Sequence, residues 1–273
     1  MATTHGPTTD ETATAVETPA TTETPATTET PPTASASGWA RRVDRLAPTA
    51  SGAGARLDRV TGRRLVGPLQ GFGQLWQKTF RVRLEGADLT PAEVVARWKD
   101  AFPTFWPKGN TFYAPFAGIA PGEVALLEVQ VMPHAPLRMS TGVMVIYADD
   151  ESFTFMNPEG HALSAWITFS AFRDGDTTVA QVQALERTAD PLIELSYLLG
   201  ANRYNDAFWV GTLENLGRAM GVAAPSVESV KACVDRRRQW RYVTNVRHSP
   251  AIATAVSTMT APARWLRARA GGR

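Results

Sequence analysis

The sequence predicts an α+β fold in which a curved antiparallel sheet wraps around one long C-terminal helix. Three observations carry this reading. Apolar residues recur with a period of two from Gln74 to Leu84 and again in several runs between Thr111 and Arg187, the signature of half-buried strands. Those later runs follow one another with only turn residues between them, so neighbours must pair as antiparallel hairpins. After Asp190-Pro191 the apolar spacing changes to three and four and holds as far as Met220, the period of a helix.

The first strand places Trp76, Phe80, Val82 and Leu84 on one face and Gln77, Thr79, Arg81 and Arg83 on the other, with Lys78 interrupting the apolar face. Thr90-Pro91-Ala92-Glu93 then starts a helix: Thr90 can cap, Pro91 suits the first turn, and Glu93 completes a capping box. Val94, Val95, Trp98 and Phe102 form its buried stripe, and Pro103 ends it. Strands follow at about Thr111–Ala114, Glu123–Met132, Met139–Ala148, Ser152–Asn157, His161–Phe172 and Thr177–Arg187. Ala148–Glu151 and Arg173–Asp176 read as hairpin links, the second carrying the favoured Asp-Gly pair. Val143, Val145 and Tyr147 face one way and Met144 and Ile146 the other, so that strand must be covered on both faces.

In the long helix, Leu192, Leu195, Leu199, Trp209, Leu213, Leu216 and Met220 form one buried stripe when Asn202 and Asp206 fill its gap. Gly200 and the polar run that follows are the place for a kink or for a split into two helices. Trp39–Leu46 and Lys231–Val243 read as basic amphipathic helices, and Ala251–Ala268 as a weaker one.

Composition divides the chain. Residues 1–37 are almost entirely Thr, Ala, Pro and Glu, with too little apolar surface to offset backbone ordering at ~1–2 kcal/mol per residue, so a disordered tail is expected there. Residues 38–64 form a basic linker, 65–222 the folded domain and 223–273 a basic extension. The formal charges of 1–37, 38–64, 65–230 and 231–273 are −5, +5, −7 and +9. An acidic body between basic flanks predicts either that the flanks fold onto the body or that they reach an anionic membrane surface through Trp39 and Trp265. No apolar run is long enough to span a bilayer and no secretory leader is evident. With Cys233 the single cysteine, the expected setting is cytoplasmic, peripheral membrane attachment being the variant that the basic flanks suggest.

The order strand, helix, consecutive antiparallel strands, long helix over residues 72–222 is similar to the START-like, or helix-grip, superfamily (SRPBCC), which includes polyketide cyclases and lipid-transfer domains. Phe153-Thr154-Phe155-Met156-Asn157-Pro158-Glu159-Gly160-His161 also looks like a hairpin of a poorly characterised bacterial branch. That branch carries a Pro-Gly-His turn, and here Glu159 intervenes. The resemblance implies a cavity between sheet and helix that takes a hydrophobic small molecule or lipid.

Phe112, Met132, Met144, Met156, Trp166, Tyr197, Tyr204 and Phe208 are the expected lining, since Met packs adaptably and Tyr can orient a ligand. Glu128 and Gln130 are the candidate polar contacts; a carboxyl in an apolar chamber resists ionisation and can anchor or protonate a ligand. The alternative to a carrier is a cyclase- or dehydratase-like enzyme in which Glu128, His161 or a chamber tyrosine moves protons. A third reading is a peripheral membrane module around a filled core. No catalytic residue is assigned. No metal spacing surrounds His134 or His161, no nucleophile elbow or phosphate cradle occurs, and no cofactor or nucleic-acid partner is expected. The sequence gives no sign of oligomeric state.

Overall fold

The computed structural model describes residues 38–48, 59–130 and 138–253. Expectations for residues 1–37, Ser51–Gly54, Leu57, Met132, His134 and Trp265 lie outside them.

The elements run β1 (Leu65–Val66), β2 (Leu75–Arg83), α1 (Pro91–Asp100), β3 (Thr111–Tyr113), β4 (Val124–Gln130), β5 (Arg138–Ala148), β6 (Ser152–Pro158), β7 (Leu163–Asp174) and β8 (Thr177–Thr188). The chain then forms α2 (Pro191–Ser196), a wide turn over Tyr197–Ala201, α3 (Asn202–Ala219) and β9 (Val227–Asp235). Among the described residues nine strands make one antiparallel sheet in the order β3-β4-β5-β6-β7-β8-β2-β9, with β1 on β6. The sheet with α1 and α3 on one face is a helix-grip α+β architecture.

Local chemistry explains the boundaries. Thr90 Oγ1 accepts from the Glu93 N–H at 3.3 Å while Glu93 Oε2 accepts from the Thr90 N–H at 2.8 Å, the capping box read from sequence. Asp149 Oδ1 accepts from the N–H groups of Glu151 and Ser152 at 2.9 and 2.8 Å, closing the β5–β6 turn. Gly175, at φ 60°, supplies the left-handed residue that joins β7 to β8.

Register fixes the two faces. Phe80 pairs with Val182, Val182 with Phe169 and Phe169 with Phe153, so these side chains point to the helix side, here called the inner face. Trp98 of α1 and Trp209 of α3 press on them, the Trp98–Phe169 and Trp209–Phe169 centroids lying 5.4 and 5.7 Å apart. The outer face carries Val124, Leu126 and Met144, which are buried under Leu46 and Val60 of the N-terminal segment. The double cover read from β5 is therefore real, but its outer half is an irregular strap.

Several expectations are corrected. Trp39–Leu46 is not helical: the Ala40 N–H donates to the Ile146 carbonyl and the Leu46 N–H to that of Arg63, both at 2.9 Å, so this segment follows the sheet. A bulge at Ile146 turns Tyr147 to the outer face, opposite Thr154, where its ring meets Trp39 at 4.7 Å. Lys231–Val243 is not a helix either. Val227–Asp235 pairs with the free edge of β2 from Val82↔Val227 to Leu75↔Asp235, and Trp240–His248 forms a 3₁₀ segment. The valines at 227, 230 and 234 suit a strand, and β2 had unpaired backbone groups to offer.

The helical stripe is also broken. Gly200 sits at φ 107°, ψ 2° inside the wide turn, which rotates α2 out of phase with α3. α3 buries Trp209, Thr212, Leu213, Leu216 and Gly217. α2 instead turns Glu194 inward, where its carboxylate accepts from Thr188 Oγ1 at 2.8 Å and Arg238 Nε at 2.9 Å. Leu195, Leu198 and Leu199 are left 53%, 65% and 80% exposed.

Candidate functional site

Beneath the α2–α3 kink the inner face changes from apolar to charged. Lys78 on β2 shares that face with Phe80 and Val82, and Glu186 on β8 is directly opposite Trp76. They are 5% and 2% exposed. Lys78 Nζ lies 2.7 Å from Glu186 Oε1 and 2.9 Å from Asp206 Oδ1. Lys231 of β9 reaches Asp206 Oδ2 at 2.6 Å, and Asn205 Nδ2 donates to Glu186 Oε1 at 3.2 Å. The Tyr197 ring centroid is 5.9 Å from Lys78 Nζ. Two ammonium groups thus balance two carboxylates in a site closed by one tyrosine.

The charge states are strongly held. Burial opposes the Lys78 ammonium, but the combined pull of Glu186 and Asp206 outweighs it and leaves the pKa above its usual value. Burial first, and then the negative charge of Glu186 and Asp206, push the Tyr197 phenol well above its ordinary range. Both groups keep their protons at neutral pH. They can donate hydrogen bonds there, but they are poorly suited to exchanging protons.

A second feature adjoins the cluster along α3. Phe208 packs between two indoles, 5.0 Å from Trp106 and 4.9 Å from Trp209. The Nε1 donors of Trp106 and Trp209 are buried without an acceptor among the described residues. An unmet buried donor costs about 1–3 kcal/mol, so this wall favours any oxygen placed against it.

Only part of the lining expected from sequence meets here. Tyr197 belongs to the charged cluster and Phe208 to the indole wall. Phe112 is on the inner face but fills the aromatic core, 4.9 Å from Phe102. Met144, Met156 and Trp166 lie on the outer face: Met156 pairs with both Met144 and Trp166, and Trp166 is 46% exposed. Glu128 is also on the outer side, 3.3 Å from Arg138, and Gln130 ends β4, where its N–H donates to Asn110 Oδ1 at 2.9 Å. Tyr204 is exposed on α3. Their faces follow from register: Glu128, Gln130, Met144 and Met156 share the side that the strap covers, and an alternating pattern with two apolar faces does not say which one holds the helix.

Lys78, Glu186, Asn205, Asp206 and Lys231 were missed as a site. The signal was present, since Lys78 breaks the apolar face of β2 and Asp206 fills a gap in the apolar stripe of α3. Each break is the other's partner.

His161 lies in the β6–β7 turn, away from this cluster. Its Nδ1 accepts from the Leu163 N–H at 3.0 Å and faces Asn157 Nδ2 at 3.0 Å, which leaves the proton on Nε2. Burial pushes its pKa down from 6.5 to about 4. The unfolded chain therefore binds more protons between those values, and stability rises with pH there. The contribution is complete above about pH 6.5 and fades as pH falls toward 4. Unfolding midpoints measured across that window should drop toward acid in the native chain and drop less in His161→Gln. Equal slopes would remove His161 from the pH response.

The basic flanks meet the acidic body at several points. Arg64 Nη2 lies 2.6 Å from Glu159 Oε1, and Arg238 and Lys231 pair with Glu194 and Asp206. Arg187 on the body binds Asp235 at 2.6 Å. Cys233 is on β9 opposite Trp76, not on a helix.

No described helix is long and apolar enough to cross a membrane, and among the described residues no group of His, Cys, Asp and Glu is placed to hold a metal ion.

The helix-grip description rests on the architecture itself, and three solved structures align with parts of this chain. A START superfamily protein from Mycobacterium smegmatis matches at 18% identity over 54% of this chain and 99% of its own, with a TM-score of 0.36. The KanY protein matches at 15% identity over 54% of this chain and 98% of its own, with a TM-score of 0.43. A major latex-like protein from Panax ginseng matches at 12% identity over 50% and 97%, with a TM-score of 0.31. At such identities, what these proteins bind does not carry over to this chain. No protein-family model and no curated protein matches the sequence.

Proposed function

We propose that this protein binds a hydrophobic small molecule or lipid between the inner sheet face and the kinked α2–α3 helix, without transforming it. The observation that carries this reading is the kink itself. Gly200 frees α2 from the phase of α3 and leaves its leucines off the sheet, directly beside a buried polar cluster on an otherwise apolar face. An apolar body with one polar end matches that division. The polar end is a hydroxyl or carbonyl, because the cluster already balances two carboxylates against two ammonium groups and a further anion would crowd Glu186 and Asp206. The orphaned Trp106 and Trp209 donors support an oxygen-bearing ligand along α3.

Binding is favoured over catalysis by the same groups. Lys78 and Tyr197 titrate away from neutrality, while Glu128 and His161, the proton carriers that sequence suggested, lie outside the inner face. A neutral apolar fluorophore, N-phenyl-1-naphthylamine, should bind the full chain saturably and be displaced by dodecanol more effectively than by dodecanoate. Tyr197→Phe should weaken dodecanol several-fold. A non-saturable signal, or equal displacement by alcohol and acid with no effect of Tyr197→Phe, overturns the reading.

A further inference from the structure

Away from the sheet–helix interior, the two basic flanks meet on the outer surface of the molecule. A pocket of about 450 Å3 is lined by Arg45, Thr61, Gly62, Arg63, Arg64, Glu159 and His248. Three distant stretches build it: the N-terminal strap, the β6–β7 turn and the end of the 3₁₀ segment after β9. Its size is in the lower part of the ~300–1,000 Å3 range of small-molecule sites.

The charges in it are unequal. Among the described lining residues Glu159 is the one carboxylate against three guanidiniums, and it is already held by Arg64, whose Nε and Nη2 donate to Oε1 at 2.9 and 2.6 Å. The Arg64 N–H donates to Glu159 Oε2 at 3.2 Å. Those bonds tie Arg64 to the β6–β7 turn. Arg45 spends one donor, from Nη1 to the Gly62 carbonyl at 2.9 Å, and its other side-chain N–H groups have no partner among the described residues. The Arg63 side chain has no hydrogen-bond or ion-pair partner among the described residues. His248 completes the lining of the same wall.

We infer that this pocket is a binding site for a phosphate-bearing small molecule, held by Arg45 and Arg63 with Arg64 positioned by Glu159. Guanidinium is the group suited to it, because its planar fork matches two phosphate oxygens at once, whereas an ammonium acts as a point charge. The backbone supports the arrangement: Gly62 is at φ 74°, which presents its carbonyl to Arg45, and Leu46 and Val60 on either side are buried on the sheet. The arginines therefore project from an anchored frame. The site stands apart from the sheet–helix interior, so it can fail or succeed independently of the function proposed above.

The test uses the full chain and inorganic pyrophosphate as probe, followed by calorimetry at fixed ionic strength. Saturable binding is expected, weakening as salt rises. Arg63→Gln and Arg45→Gln should each weaken it roughly tenfold, the scale of one charge-assisted hydrogen bond, with Arg63→Lys intermediate. None of these should alter the far-UV circular dichroism or the unfolding midpoint by more than a little, which shows that the variants are folded. Vesicles containing phosphatidic acid form a second arm: binding to them but not to pyrophosphate identifies the phosphate as a lipid headgroup, and the reverse identifies a free metabolite. Binding to neither, or affinities unchanged in all three variants, overturns the inference.

Discussion

Replacing Lys78 by methionine is expected to destabilise the folded chain by about 3–5 kcal/mol, the cost of leaving buried charge without its partner. Lys78 holds two carboxylates at once, Glu186 at 2.7 Å and Asp206 at 2.9 Å. Asp206 keeps Lys231, but Glu186, 2% exposed, keeps only the Asn205 amide among the described residues. Removing all three charges together, as Lys78→Met with Glu186→Gln and Asp206→Asn, should recover most of that loss, because a buried ion cluster contributes little net stability over a neutral, well-packed replacement. Denaturant unfolding of the single and triple variants measures both. The pair of results also separates structure from function: a triple variant that is stable but no longer distinguishes dodecanol from dodecanoate marks the cluster as the polar end of the binding site. A triple variant as unstable as the single one would mean that the cluster holds the kinked helix in place.

How much of this could be read from the chain follows from which contacts are local. The capping box at Thr90 and Glu93, the β5–β6 turn at Asp149 and the hairpin at Gly175 each depend on residues within a few positions, and each was legible. The burial of Val94, Val95, Trp98 and Phe102 followed from helical spacing alone. By contrast, β9 depends on the unpaired edge of β2, which precedes it by 145 positions at the Val82↔Val227 pair and more at the others, and no local pattern announces an open edge. The break at Gly200 was legible, but the phase slip it causes was not. Spacings of three and four continue through it in sequence, but the wide turn rotates the backbone, so Leu195 and Leu199 leave the face that Trp209 and Leu213 occupy. The site was half legible. Lys78 and Asp206 each stood out as a breach of an apolar face, but matching one breach to the other required the strand and helix to be placed together.

Truncating Phe102 to alanine should cost about 3–5 kcal/mol, and this result bears on where a ligand can lie. Phe102 is 1% exposed and its ring centroid is 4.9–6.1 Å from those of Phe112, Phe155, Phe169, Phe153 and Trp106. A ring so enclosed leaves a hole that its neighbours cannot collapse into, since α1 and the sheet fix them on both sides. The full cost, measured by denaturant unfolding, would show that this end of the inner face is filled by protein. A ligand must then occupy the other end, under the kink, between Tyr197 and the Trp106–Phe208–Trp209 wall. Phe102→Ala should accordingly leave the affinity for N-phenyl-1-naphthylamine within a factor of a few, once compared at equal fraction folded. A loss of stability below about 1 kcal/mol, together with a large drop in affinity, would place the ligand against Phe102 itself, because a ring lining an open chamber forfeits few packing contacts when it is removed.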